Sequence, residues 1–368
     1  MDKPVVATKT QPSHVNSMAT TASIEPNRLS SEYMHSGARR TGLLRFAADR
    51  RTVMFVITYF ALVVVGYVVT MPWWGSAILA ATLCLLSFFC AVATHNTVHA
   101  PVFRDRGLNR IFQIALTLTY GHPVSMFVPG HNLSHHKYTQ TPRDRMRTDK
   151  LRFRWNLLNQ LFFHVIVGGT ITKDNFEYAR IMRTKRPAWY RQMMIELGAL
   201  IAFVGIGLVL SLWSPFAGGG FGLWRFFAFI ILPHQYAAWG IMGINFVQHE
   251  GCDPESPYNH SRNFTGKVLN WFTFNNGFHG IHHKHAGLHW SLAPAAHAKE
   301  LAPFIDKRLD QTSLLSYAFT AYVFPGKRMR YDGTPVVLGP PRQDESWIEG
   351  ASREGQLVAD DSEYGAVV

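Results

Sequence analysis

Four long apolar runs constrain this chain more than any other feature. Val53 to Met71 is nineteen residues without a charge, the length that crosses a hydrocarbon core of about 30 Å as a helix. The second run, Ala77 to about Ala93, follows the uncharged turn Pro72-Trp73-Trp74-Gly75-Ser76, whose tryptophans suit a membrane interface. Met193 to Trp213 and Phe221 to about Phe246 repeat the arrangement around the uncharged stretch Ser214 to Gly220. Arg225, near one end of the last run, can reach back toward the interface along its own stem. The expected fold is all-α and integral to a membrane, with about four transmembrane helices in two hairpins. Two weaker stretches, Ile111 to Val128 and Leu157 to Ile171, are interrupted or short and are expected to be interfacial or partly buried helices.

Charge fits that reading. Charged residues are 16% of the chain, against roughly 25% in soluble domains. The formal net charge of +12 admits nucleic-acid binding, but the basic residues flank apolar runs and form no RNA-binding motif, so no nucleic-acid partner is expected. The turns at 72–76 and 214–220 carry no Lys or Arg, whereas 104–191 carries sixteen against five acidic residues. Positive loops stay inside, which puts both termini and every histidine cluster on the cytoplasmic face. Residues 1–38 are polar and lack the apolar core of a secretory signal. They are expected to be a disordered tail, 39–331 the membrane domain, and the Gly-, Pro- and acid-rich 332–368 a second disordered tail. The three cysteines show no disulfide or metal spacing.

Histidine is the unusual residue, eighteen in all and concentrated in short windows. His95-Asn96-Thr97-Val98-His99 places two imidazoles four apart, on one helical face. His131-Asn132-Leu133-Ser134-His135-His136 repeats the spacing at His131 and His135, and His136, about 100° further round a helix, is expected to reach a second metal. His279-Gly280-Ile281-His282-His283 is expected to present all three rings on one broad face. Asn245 and His249 share a face at the end of the last run. Imidazole suits divalent first-row metals including iron, and a neutral ligand set leaves positions open for O2. A zinc hydrolase would need about three ligands and an open water position, usually with a carboxylate; nine histidines are too many, and Glu250 is the only acid beside one. Paired haem ligands would lie inside spans, whereas these lie at span ends. His122, His164 and His234 are expected to be satisfied core residues. His285, His289 and His297 are expected either to orient the ligands or to lie at the surface.

The three clusters HNTVH, HNLSHH and HGIHH, in the order hairpin, two boxes, hairpin, last box, resemble the membrane fatty acid desaturase-like superfamily over roughly residues 50 to 300. That superfamily includes acyl desaturases, lipid hydroxylases and 1-alkene-forming fatty acid decarboxylases. The resemblance implies two iron ions held by His95, His99, His131, His135, His136, His279, His282 and His283. NFVQH resembles the element that supplies a further iron ligand, here His249, with Asn245 holding an iron-bound water. It also implies O2 as co-substrate, a lipid or fatty acyl substrate, and electrons from a separate ferredoxin- or cytochrome-type donor, since no iron–sulfur cysteine set or nucleotide fingerprint is fused here. Fatty acid desaturation is the expected reaction, with decarboxylation to a 1-alkene or hydroxylation as alternatives. The first box has three intervening residues where acyl-CoA desaturases usually have four. The stretches Asn259 to Phe264 and Asn275 to Phe278 resemble bacterial members, which implies a bacterial inner membrane. Arg262 is a candidate to meet a carboxylate or phosphate head group, or to anchor at the membrane surface.

Overall fold

The computed structural model describes residues 42–213 and 222–348. The expected N-terminal tail and the second hairpin turn lie outside the described residues. Among the described residues, four helices are long and apolar enough to cross a membrane. They are α1 (Arg50–Val68), α2 (Trp73–Thr97), α6 (Pro187–Trp213) and α7 (Leu223–His249). The protein is an integral membrane protein on this architecture. Helix α2 lies along α7 and forms the centre of the bundle, with α1 against α2. Their ends deliver His95 and His249 to the same place. Helix α6 is peripheral: only 17% of its apolar window is buried, and Ile195, Ile201, Ile206 and Val209 point outward. Such residues would be costly in water and are at home in lipid.

The first weak stretch resolves into α3 (Arg106–Tyr120) and α4 (Val124–Val128), the latter running on into a π-helical segment, Pro129–His136. The two arms are bent by 79°. Asp105 caps α3 by accepting from the Leu108 amide at 2.8 Å. Gly121 ends it at φ +82°, where a Cβ would lie 2.4 Å from His234 Cγ, so both backbone and space demand glycine. Glu196, buried in α6, accepts from the Ser125 amide at 2.8 Å and the Ser125 hydroxyl at 3.0 Å. It thereby satisfies an amide at the start of α4 that has no partner within the helix. The second weak stretch is the first half of α5 (Asn156–Lys185), a thirty-residue helix. Its apolar run stops near Ile171, but the helix continues, burying Asp174 and Tyr178 on one side.

Beyond the last span, the described residues include the short α-helices α8 (Lys267–Phe272), α9 (His279–Lys284), α10 (Ala293–Glu300) and α11 (Leu314–Ala318). A two-residue parallel pair, Asn263 with Asp310 and Phe264 with Gln311, joins this segment to itself.

Within the segment expected to be a disordered tail, residues 344–348 pack against earlier elements. Trp347 is fully buried, its ring 5.9 Å from that of Tyr178, and its indole N–H donates to Asp174 Oδ2 at 2.6 Å. Asp344 receives Arg147 and Lys150, and the Glu345 carbonyl accepts from Arg145 at 2.9 Å. The acidic residues of this segment meet a cationic loop, and that match holds it down. Residues 349–368 lie outside the described residues.

Candidate metal centre

All nine predicted histidines converge, and they divide into two groups. His95, His99, His131, His136 and His282 form one; His135, His249, His279 and His283 form the other. Within each group one ring nitrogen per residue lies within 4.8 Å of the others. In the second, His249 Nε2 lies 3.1 Å from His135 Nε2, 2.9 Å from His279 Nε2 and 3.1 Å from His283 Nε2. In the first, His136 Nε2 lies 3.1 Å from His131 Nε2 and 2.9 Å from His282 Nε2.

A single imidazole nitrogen cannot form good hydrogen bonds with three others, because a neutral ring has only one N–H and one lone pair. A cation at the centre satisfies all of them. Ligands about 2.1 Å from a metal and at right angles to one another lie about 3.0 Å apart, which matches these separations. His99, buried in the first group, has no hydrogen-bond partner at either ring nitrogen among the described residues. The donor set therefore fits two metal ions with nitrogen ligands.

The division corrects the helical-spacing expectation. His131 and His135, four apart, go to different groups, while His131 and His136, five apart, go together. The cause is local: Pro129–His136 is π-helical, with the i to i+5 repeat of that helix. His136 does turn away from His135, but it is His135 that serves the other group. The third cluster divides as well. His279 and His283 belong to one group and His282 to the other, so one helical turn serves both.

Partners beyond the rings fix their orientation. His135 Nδ1 donates to Asp144 Oδ2 at 3.0 Å, and neither side chain is exposed. Asp144 also accepts from the amides of Gln140 and Met146 at 2.8 and 2.7 Å. His249 Nδ1 donates to the His260 carbonyl at 3.3 Å. With Nδ1–H so engaged, Nε2 presents its lone pair to the centre. His95 Nδ1 lies between Asn96 Oδ1 at 3.3 Å and Asn276 Nδ2 at 3.2 Å. Burial, reinforced by neighbouring imidazoles, holds His99, His279, His282 and His283 well below the usual histidine range, so they are neutral donors. Asn245 Nδ2 is 3.0 Å from His135 Nε2, and its buried Oδ1 has no partner among the described residues.

An apolar cavity of about 440 Å³ abuts this centre, with His95, His131, His279 and Asn245 in its wall. His122 and His164 also line it, rather than sitting as satisfied core residues. His234 does behave as expected, donating from Nε2 to the Leu118 carbonyl at 2.9 Å. His285, His289 and His297 pair with Glu300, Asp49 and Asp310 at 2.7, 3.1 and 3.0 Å. His289 and His297 are buried, so they brace the segment around α9 rather than lie at the surface. Arg262 is neither a head-group ligand nor a surface anchor. It is buried, donates to the Val247 and Glu250 carbonyls at 2.9 Å each, and lies 4.3 Å over the Tyr317 ring. Asp144 escaped the sequence reading because a lone acid nine residues after a histidine carries no spacing signal.

A family model described as Fatty acid desaturase matches residues 69–313. No curated protein and no solved structure matches the chain.

Proposed function

Because the chain belongs to the fatty acid desaturase family, we propose that it is an O2-dependent diiron oxidase that breaks an unactivated C–H bond in a fatty acyl or other lipid chain, with desaturation as the reaction. The observation that carries this reading is two adjoining groups of buried and partly buried imidazoles at the wall of an apolar cavity. Two iron ions bound there would supply the redox chemistry that C–H cleavage by O2 requires and that no side chain supplies alone.

The chain's own residues have separable tasks in this proposal. His95, His99, His131, His136 and His282 hold one ion, and His135, His249, His279 and His283 hold the other. Asp144 and the His260 carbonyl keep His135 and His249 in the tautomer that leaves Nε2 free. Asn245 Oδ1, buried and unpartnered at the cavity wall, is placed to accept from a water or hydroxyl beside the second group. The apolar wall, including Met126, Phe127 and Ile241, holds an alkyl chain and excludes bulk water. Electrons come from a separate ferredoxin- or cytochrome-type donor. The basic 104–191 segment favours an acidic partner on the cytoplasmic face, with the protein in a bacterial inner membrane.

Gas chromatography–mass spectrometry of headspace and hydrolysed lipids tests the reading. The host would express either the wild-type chain or the His282→Ala/His283→Ala variant, which removes one ligand from each group. A new internal double bond only with the wild type is the expected result. A terminal alkene would move the assignment to decarboxylation and a hydroxyl to hydroxylation. Identical profiles, with donor proteins and iron supplied, would refute lipid oxidation.

A further inference from the structure

We propose that lipid reaches the metal centre sideways from the bilayer, through a mouth beside α5 that Gly168 and Gly169 keep open. This rests on the reading of the cavity as the substrate's site. The cavity is lined by both His131 and His122. The connection is traced by rings: His131 to Phe127 at 5.0 Å, Phe127 to Tyr120 at 6.1 Å, and Tyr120 to His122 at 5.0 Å. One wall is α5, which contributes His164, Val165, Gly168, Gly169, Thr172 and Phe176. These recur at the spacing of one helical face.

Val165 and Phe176 line the cavity and are also 65% and 62% exposed, so the cavity opens at the surface there. The surface around it is apolar: Leu161, Phe162 and Ile166 of the same helix are exposed. A patch of that kind on a protein with four membrane-crossing helices faces lipid. No Lys, Arg, Asp or Glu is among the residues lining the cavity. The part of the ligand inside is therefore alkyl chain, and any phosphate or carrier group stays outside.

Two consecutive glycines in the middle of a thirty-residue helix weaken it relative to alanine, and no turn or positive φ calls for them. Nor does close approach: a Cβ on Gly169 would meet nothing within 4 Å, and one on Gly168 only His164, at 3.8 Å. The space they leave belongs to the cavity.

The test is photolabelling with a diazirine-bearing palmitic acid in phosphatidylcholine vesicles holding the full-length protein, read by peptide mass spectrometry. It needs no turnover. Wild type is expected to be labelled on α7 at the lining residues Ile241 and Met242. Gly168→Phe and Gly169→Phe, which put a ring into the mouth, are expected to lower that label about tenfold, the scale on which apolar sites reject misfitting bulk. Gly198→Phe is the control, since a Cβ there also meets nothing within 4 Å but lies outside the cavity; it should leave the label unchanged. Gly168→Leu replaces the phenylalanine variant if that aggregates. Label retained in both α5 variants, or lost equally in Gly198→Phe, would overturn the lateral route while leaving the lipid site intact. Absence of label in the wild type would overturn the route together with the cavity's assignment to lipid.

Discussion

Replacing Asp144 by Asn should weaken one metal site and spare the other. In the native arrangement Asp144 Oδ2 accepts from both His135 Nδ1 and the Gln140 amide, while Oδ1 accepts from the Met146 amide. A carboxamide has one oxygen, so one of those two sides must face an N–H with an NH2 group. If the nitrogen turns toward His135, the ring loses its acceptor and the tautomer with a free Nε2 is no longer favoured. If it turns toward Met146, the loop carrying residue 144 loosens instead. Removing such a partner typically costs 10–100-fold in metal affinity, or about 1.4–2.7 kcal/mol. Because His135 belongs only to the group with His249, His279 and His283, the loss should fall on one site. Competition between the purified protein and a chelator for Fe(II), fitted to two sites, measures this. Unchanged affinities, or equal weakening of both sites, would refute the argument that Asp144 acts through His135.

Trp347→Ala should lower the thermal midpoint, because it removes a fully buried indole and its bond to Asp174; truncations of this kind cost about 3–5 kcal/mol, and an unchanged midpoint would mean the 342–348 segment does not pack in solution. The pH dependence of metal retention follows from burial. His99, His279, His282 and His283 have folded values depressed below the ordinary 6.5, so they bind fewer protons folded than unfolded as pH falls through that value. Their contribution to stability is present above 6.5 and is lost at lower pH, as it falls through the depressed values. Bound iron, assayed after equilibration across a pH series, should persist through 6.5 and be released only in a more acid range; half-release above 6.5 would contradict this.

The spans and the histidine windows were legible because both are local. Nineteen uncharged apolar residues can do little but cross a membrane as a helix, and imidazoles at a span end have few other uses. What stayed hidden depends on contacts between distant residues or on an irregular helix. The division of His131 from His135 needed the π-helical register of Pro129–His136, and nothing in PGHNLSHH separates that from an α-turn. The 332–348 segment reads as a tail because its acidic residues have no neighbours in sequence; their partners Arg145, Arg147 and Lys150 lie nearly two hundred residues earlier. Arg262 suggested a head-group ligand because an arginine near a span end usually faces water or phosphate. Two carbonyls and a tyrosine ring held it inside instead.

The division of neighbouring histidines has a mechanical consequence. His135 and His136 are consecutive, as are His282 and His283, yet each pair straddles the two groups. The distance between the two centres is therefore spanned twice by a single peptide unit, whose Cα atoms are about 3.8 Å apart whatever the rest of the chain does. Helices in a bilayer tilt and shift as its thickness changes. The Cα spacing of these adjacent ligands does not, so the two groups stay tethered to each other at two places while the helices around them move.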